Sequence, residues 1–180
     1  MGKTKKEKKS HSVAYELFGW LVYIAIIVGL TWLIITFVGQ RTSVSGHSME
    51  TTLQDGDQLI VVKISYRFRD PKRYDIIVFP YQYEENVYYI KRIIGLPGET
   101  VEIISGKVYI NGELLDEPYL SEEPTGDYGP YQVPEDSYFM LGDNRAVSKD
   151  SRYWHNTYVK KDKIIAKAFV MYWPSLKWLG

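Results

Sequence analysis

The chain has 180 residues, equal numbers of basic and acidic side chains, and no cysteine. Without cysteine there is no disulfide framework, and three scattered histidines do not make a metal site. The zero net charge hides an asymmetry, because residues 1–14 carry five lysines against the single Glu7.

The first predicted element follows that basic tail. No charged residue stands between Glu16 and Arg41, and the run "LFGWLVYIAIIVGLTWLIITFVG" (17–39) is apolar throughout. It exceeds the ~20 residues needed to cross a hydrocarbon core. A cleaved secretory signal has a shorter apolar region, about 7–15 residues, and an A-x-A-like site after it, which is missing here. The run is therefore expected to be a retained transmembrane helix. Lysine-rich flanks stay on the cytoplasmic side, so residues from about 40 onward are expected outside. Beside a membrane span, the lysines of "MGKTKKEKK" read as an orientation signal against anionic lipid and not as a nucleic-acid arm.

Strand signals dominate beyond residue 41. "QLIVVKIS" (58–65), "YDIIVF" (74–79) and "VYYIKRIIG" (87–95) are rich in β-branched and aromatic residues, bounded by turn formers. "TVEIISGKVYINGELL" (100–115) predicts two successive hairpins, turning at Ser105-Gly106 and Asn111-Gly112, dipeptides that accept the positive φ of tight turns. Residues 116–136 form a Pro/Glu/Tyr-rich connection, after which "SYFMLG" (137–142) and "IIAKAFVMYW" (164–173) supply two more strands. The expected fold is an all-β, mainly antiparallel extracellular domain behind one N-terminal transmembrane helix. About 140 residues suffice to fold on their own core.

Two features suggest chemistry. "SGHSMETTL" (45–53) holds serines beside a lone histidine. A serine is a poor nucleophile until a base takes its proton. His47 is a poor candidate for that base, because adjacent side chains on an extended segment face opposite ways. His11 and His155 have no serine–carboxylate arrangement around them. The second feature is Lys91, which interrupts an apolar strand. The alternation rule puts it on one face with Tyr89 and Ile93, and Arg92 on the other with Ile90. Either both cations reach water from an edge strand, or Lys91 is buried. A free lysine titrates near ~10.4, and burial lowers that by as much as roughly 3–5 units, enough to make a usable base. A serine paired with such an amine is a variant of the triad logic. A third segment, "LGDNRAVSKDSR" (141–152), is turn-rich and offers Ser148 as a hydroxyl partner for an amine and Asp150 as a carboxylate for an arginine.

Five ordered blocks, "SGHSMETTL", "GDQLIVV", "RYDIIVF", "YIKRIIGLPGE" and "GDNRAVSKDSR", resemble those of the type I signal peptidases, membrane-anchored Ser/Lys endopeptidases. The single anchor and short external part resemble the enzymes of Gram-positive bacteria. The resemblance covers the anchor and nearly all of residues 41–174. It implies Ser48 as nucleophile and Lys91 as general base, with Ser148 orienting the amine and Asp150 pairing with Arg92 and Arg152. The backbone N–H of Ser48 would stabilise the oxyanion. Gly46 stands where some relatives carry a serine whose hydroxyl contributes, so that second donor is expected to be missing or replaced. Two departures stand out. Thr51 replaces the usual proline after the nucleophile, which would loosen that turn. Tyr74 replaces the glycine of Arg-Gly-Asp, and an ordinary negative φ is expected there because tyrosine takes up positive φ at a cost.

The chain is thus expected to divide into a basic cytoplasmic tail (1–14), an anchor (15–39) and an extracytoplasmic catalytic domain (40–180). Expected partners are signal-peptide-bearing preproteins and the phospholipid membrane, with no nucleic acid and no cofactor. The preprotein would lie as a strand between the segments leading to Ser48 and to Lys91, meeting Met49, Leu53, Tyr89 and Ile90, whose bulk leaves shallow apolar pockets. The resemblance implies small residues one and three positions before the cut. Trp173, Trp178 and Tyr172 either sit at the bilayer surface or pack in the core. A catalytically silent relative would lack Ser48 or Lys91. A self-cleaving regulator with a related catalytic domain would carry a DNA-binding module in place of the apolar run.

Overall fold

The computed structural model describes residues 13–37, 39–81, 84, 86–122 and 124–179. Most of the basic tail, residues 1–12, lies outside them. Two compact units result, dividing between Phe37 and Val38.

The first unit contains one helix, α1 (Val13–Phe37). Its span Tyr15–Ile34 is long and apolar enough to cross a membrane, and none of it is buried in protein. A helix apolar on all sides with no protein around it has its backbone hydrogen bonds satisfied internally, as lipid demands.

The second unit is built from antiparallel strands in two sheets. Along the chain they are β1 (Gly39–Ser43), β2 (Gln58–Val62), β3 (Ile76–Pro80), β4 (Tyr88–Gly95), β5 (Thr100–Ile104), β6 (Lys107–Ile110), β7 (Glu113–Leu114), β8 (Tyr128–Gln132), β9 (Ser137–Leu141), β10 (Tyr158–Lys160), β11 (Ala166–Trp173) and β12 (Lys177–Trp178). The larger sheet runs β1-β2-β11-β3-β4-β9-β10, with β12 paired to β11, and the smaller runs β7-β6-β5-β8.

Strands β3 and β9 read as unbroken apolar runs because both of their faces are covered. Ile76 joins a cluster with Met49, Leu53, Leu59 and Ala168, while its neighbour Ile77 packs with Phe79, Ile93, Met140 and Trp154. Between β4, β9 and the small sheet, Ile94, Val101, Val108, Phe139 and Leu141 form a third cluster. Both hairpin turns fall where the sequence places them. Ser105 and Gly106 have φ of 50° and 82°, and Asn111 and Gly112 have 52° and 84°. Positive φ at both central residues is the twist-matched form for two-residue turns.

Four strands lie where no strand is expected from the sequence. The polar β1 and β8, "GQRTS" and "YGPYQ", are edge strands, where a ladder tolerates proline and unpatterned residues. β10 and β12 are too short to show a period.

Tyr74 also departs from expectation. It adopts a φ of 72°, the backbone a glycine would take, and not an ordinary one. Contacts around it hold the conformation. Its N–H donates to Ile93 O at 2.8 Å, its carbonyl accepts from Arg92 Nη1 at 3.0 Å, and its hydroxyl donates to Asp116 O at 2.8 Å.

Candidate active site

Ser48 sits in a turn-rich segment between β1 and β2, tied down on both sides. Gly46, at φ +94°, donates its N–H to Asp55 Oδ1 at 2.8 Å. The side chains of Met49 and Leu53 are buried beneath the turn in the core, anchoring it from below. The carbonyl of Ser48 accepts from the N–H of Asn144 at 3.1 Å, joining this turn to the loop after β9. Ser48 itself remains half-buried, with its hydroxyl available.

Lys91 approaches from β4. It faces Ile77 across the β3–β4 ladder, and the residue is only 3% exposed. Nζ lies 2.5 Å from Ser48 Oγ and 5.0 Å from the centre of the Tyr89 ring. It also donates to the carbonyl of Ile90 at 3.2 Å. Burial lowers its pKa from 10.5 to about 8, a shift that attraction from Asp150 and Asp143 only partly offsets. Of the two sequence readings of this strand, burial is the one realised. The amine is close enough to the hydroxyl to exchange a proton and poised to be neutral in mildly alkaline solution.

Beside the pair lies the loop 142–152, whose buried charges are matched. Asp150 accepts from Arg152 Nε at 2.8 Å and Nη2 at 2.9 Å, and from the N–H of Gly142 at 3.1 Å. The expected Asp150–Arg92 pair does not form. Arg92 instead donates to Asp143, from Nε at 2.8 Å and Nη2 at 2.6 Å, and its guanidinium lies 3.9 Å from the centre of the Tyr119 ring. The reason is the strand pairing. Arg92 faces Leu141 across the β4–β9 ladder, which brings Asp143, two residues beyond, within reach. Arg145 completes the brace, donating to Glu117 and to Gly142 O.

Ser148 is brought to the site, but its buried Oγ makes no hydrogen bond to Lys91 or to any other described residue. It is packed against Gly142, where an added Cβ would collide with the Ser148 side chain and with the carbonyl of Ser48. Gly142 thus lets the loop press against the nucleophile's backbone. His47 turns away from Ser48 as expected, though the cause differs: its segment is a turn and not a strand, and Nδ1 is held 2.8 Å from Glu50 Oε1. Glu50 raises the His47 pKa through that contact.

A cleft of about 510 Å³ opens onto the pair. It is walled by residues 42–48 on one side and 87–91 on the other, with Leu59, Val78, Val147 and Lys149. Of the four residues expected to meet a substrate, Tyr89 and Ile90 line this cleft. Met49 and Leu53 do not. They are 1% and 0% exposed, because the turn carrying Ser48 needs apolar side chains under it. The cleft's partly exposed apolar lining comes instead from Val78 and Val87, with the buried Val44 and Leu59 beneath it. Gly46 N–H is committed to Asp55 and is not available as a second oxyanion donor.

Asp143, Tyr119 and Gly142 are not among the site residues expected from the sequence. The signal for Asp143 was present, since it shares the "GDNR" block with a loop already marked as a source of carboxylates.

A buried lysine against a serine hydroxyl, at the floor of an extended cleft, is the layout of a serine hydrolase. Residues 17–173 match the family described as signal peptidase, peptidase S26, and the chain belongs to it. It is 45% identical to a probable signal peptidase I-2 from Synechocystis, over 94% of this chain and 78% of that one. It is 44% identical to a signal peptidase I from Bacillus licheniformis, over 81% and 83%. A solved structure of a signal peptidase I from Enterococcus faecalis is 39% identical and covers 55% of this chain and 97% of its own, with a TM-score of 0.49.

Proposed function

We propose that this chain cleaves signal peptides from exported preproteins as a membrane-anchored Ser/Lys endopeptidase. The observation that carries the reading is the 2.5 Å approach of the buried Lys91 Nζ to Ser48 Oγ inside an open cleft. The preprotein lies extended between residues 42–48 and 87–91, using backbone hydrogen bonds. Ser48 Oγ attacks the carbonyl that ends the signal peptide, and neutral Lys91 takes the hydroxyl proton. The ammonium then protonates the leaving amine, the mature protein departs, and an ester to Ser48 remains. Lys91, neutral again, takes a proton from water, whose attack frees Ser48 and the signal peptide. The Ser48 N–H stabilises the oxyanion in both steps. Asp143 and Asp150 do not react; by pairing with Arg92 and Arg152 they fix the loop that bears on Ser48.

α1 is the anchor, with the lysine tail on the cytoplasmic side and the sheets outside. The exposure of Trp173 and Trp178, 64% and 66%, favours their bilayer-surface reading over core packing. The test is incubation of the purified full chain in detergent with a preprotein, beside its Ser48→Ala variant. Release of mature protein by the first and not by the second is expected; cleavage by both would place the chemistry elsewhere.

A further inference from the structure

The register of the large sheet brings three chain segments together at one end. Gly39, the first residue of β1, pairs with Val62, the last of β2, and Val62 pairs on its other side with Lys167 near the start of β11. The loops that flank these positions, 63–75 after β2 and 161–165 before β11, therefore leave the sheet at the same end. Only Val38 separates Gly39 in sequence from the last residue of the apolar helix.

The chemistry of the two loops is not that of an ordinary polar rim. The first carries "KISYRFRDPKR" (63–73), and the second, together with Lys160 at the end of β10, carries "KKDK" (160–163), so cations outnumber carboxylates in both. A groove of about 660 Å³ runs between them, with Lys63, Arg67, Lys160 and Lys161 in its walls. Lys160 is 3.8 Å from Asp136, Lys161 pairs with Asp70, and Arg69 is 3.6 Å from Asp75. Lys63, Arg67 and Lys72 have no carboxylate partner among the described residues. Beside Arg67, Phe68 projects with 84% of its surface exposed.

This display is built. Asp75, buried under the loop, accepts from Lys167 Nζ at 2.7 Å, the Tyr66 hydroxyl at 3.0 Å and the Lys72 N–H at 3.1 Å. A buried carboxylate and a buried lysine that take no part in the reaction are thus used to pin the loop to β11. They hold its cations and its phenyl ring outward.

We propose that residues 63–72 and 160–163 form a docking surface for anionic phospholipid headgroups, with Phe68 entering the interface between the cations. The inference rests on the reading of α1 as a membrane anchor. Each Lys or Arg near an anionic surface strengthens attraction by roughly fivefold. An amphipathic aromatic-and-cation display suits the headgroup boundary better than a protein partner, because it presents one exposed ring and not a broad apolar patch. With β1 an edge strand, this groove and the Trp173–Trp178 surface at the far end of the same strands set the sheet edge along the bilayer.

The absence of cysteine makes the test direct. The full chain carrying Phe68→Cys is reconstituted into nanodiscs of phosphatidylcholine alone or mixed with phosphatidylglycerol, and an uncharged bulky maleimide reports access to residue 68. Ile104→Cys, on the other sheet, serves as the reference site. Reaction at 68 is expected to slow by about tenfold in the anionic discs relative to the neutral ones, to recover at high salt, and to lose this slowing with Lys63→Glu/Arg67→Glu. Equal reactivity in both lipids, or slowing that survives salt and charge reversal, would overturn the proposal. Detergent activity of the charge-reversal variant confirms its folding. Flotation with neutral vesicles tests the anchor separately, so failure of α1 to anchor is distinguishable from failure of this surface.

Discussion

Lys91 and Arg92 are adjacent on β4 and almost equally buried, yet only Arg92 has a carboxylate within hydrogen-bonding distance. The strand sends them to opposite faces. One meets Asp143; the other meets a serine hydroxyl and the face of a tyrosine ring. The arginine's charge is matched by a carboxylate, while burial pushes the lysine toward neutrality because the attraction of Asp150 and Asp143 only partly repays the lost hydration.

That difference has a cost in stability. The folded-state pKa of Lys91, about 8, lies below the unfolded value of 10.5, so between these pH values the unfolded chain binds more protons. Stability should rise as pH climbs from about 8 to about 10.5, and below 8 the full penalty remains. Lys91→Met keeps most of the volume and removes the penalty, so it should stabilise the domain at neutral pH by up to about 3 kcal/mol while abolishing cleavage. Thermal unfolding at pH 7 checks this; a lowered Tm would show that the buried amine is well solvated or paired.

Arg92→Met should be damaging for the opposite reason. It leaves Asp143 buried without a partner, a loss of about 3–5 kcal/mol for a broken buried pair. Pairing it with Asp143→Asn should recover a large part of that loss in denaturant unfolding. If the double variant is no better than the single one, Arg92 acts mainly by packing against the Tyr119 ring.

Tyr74 offers a test of backbone strain. Tyr74→Ala and Tyr74→Gly both lose the hydroxyl bond to Asp116 and the edge contact with Tyr119, but only glycine relieves the positive φ. The glycine variant should be the more stable by about 1 kcal/mol, reversing the usual preference for alanine. Equal Tm values would mean that the surrounding contacts impose no strain.

Much of the site was legible in the sequence. Lys91 stood out because a lone cation in an apolar strand breaks a pattern, and the Asn-Gly and Ser-Gly turns are set by backbone sterics alone. What was not legible depends on tertiary registry. Asp143 and Asp150 lie in one polar loop, and only the β4–β9 pairing decides which of them Arg92 meets. Met49 reads as a candidate pocket residue from its place beside Ser48, yet a turn needs an apolar foot, and Met49 supplies it. β8 is invisible because its Gly and Pro suit an edge and mimic a loop.

The cleft walls predict substrate selectivity. Val44, Leu59, Val78 and Ile90 leave little depth between residues 42–48 and 87–91. A methyl side chain fits there, whereas leucine forces packed neighbours apart and lysine loses its hydration. Preproteins with alanine one and three positions before the cut should exceed those with leucine or lysine at either position by at least about tenfold in kcat/KM. Uniform cleavage across such a series would mean that the substrate strand lies elsewhere.

The central claim is that neutral Lys91 removes the proton from Ser48. The pH dependence of kcat/KM for the full chain with a preprotein tests it most directly. The account predicts a rate that climbs about tenfold per pH unit from about pH 6, bends near pH 8 and is flat above, with no measurable cleavage at any pH in Lys91→Ala. A flat profile between about pH 6 and about pH 9, or substantial activity remaining in Lys91→Ala, would contradict it.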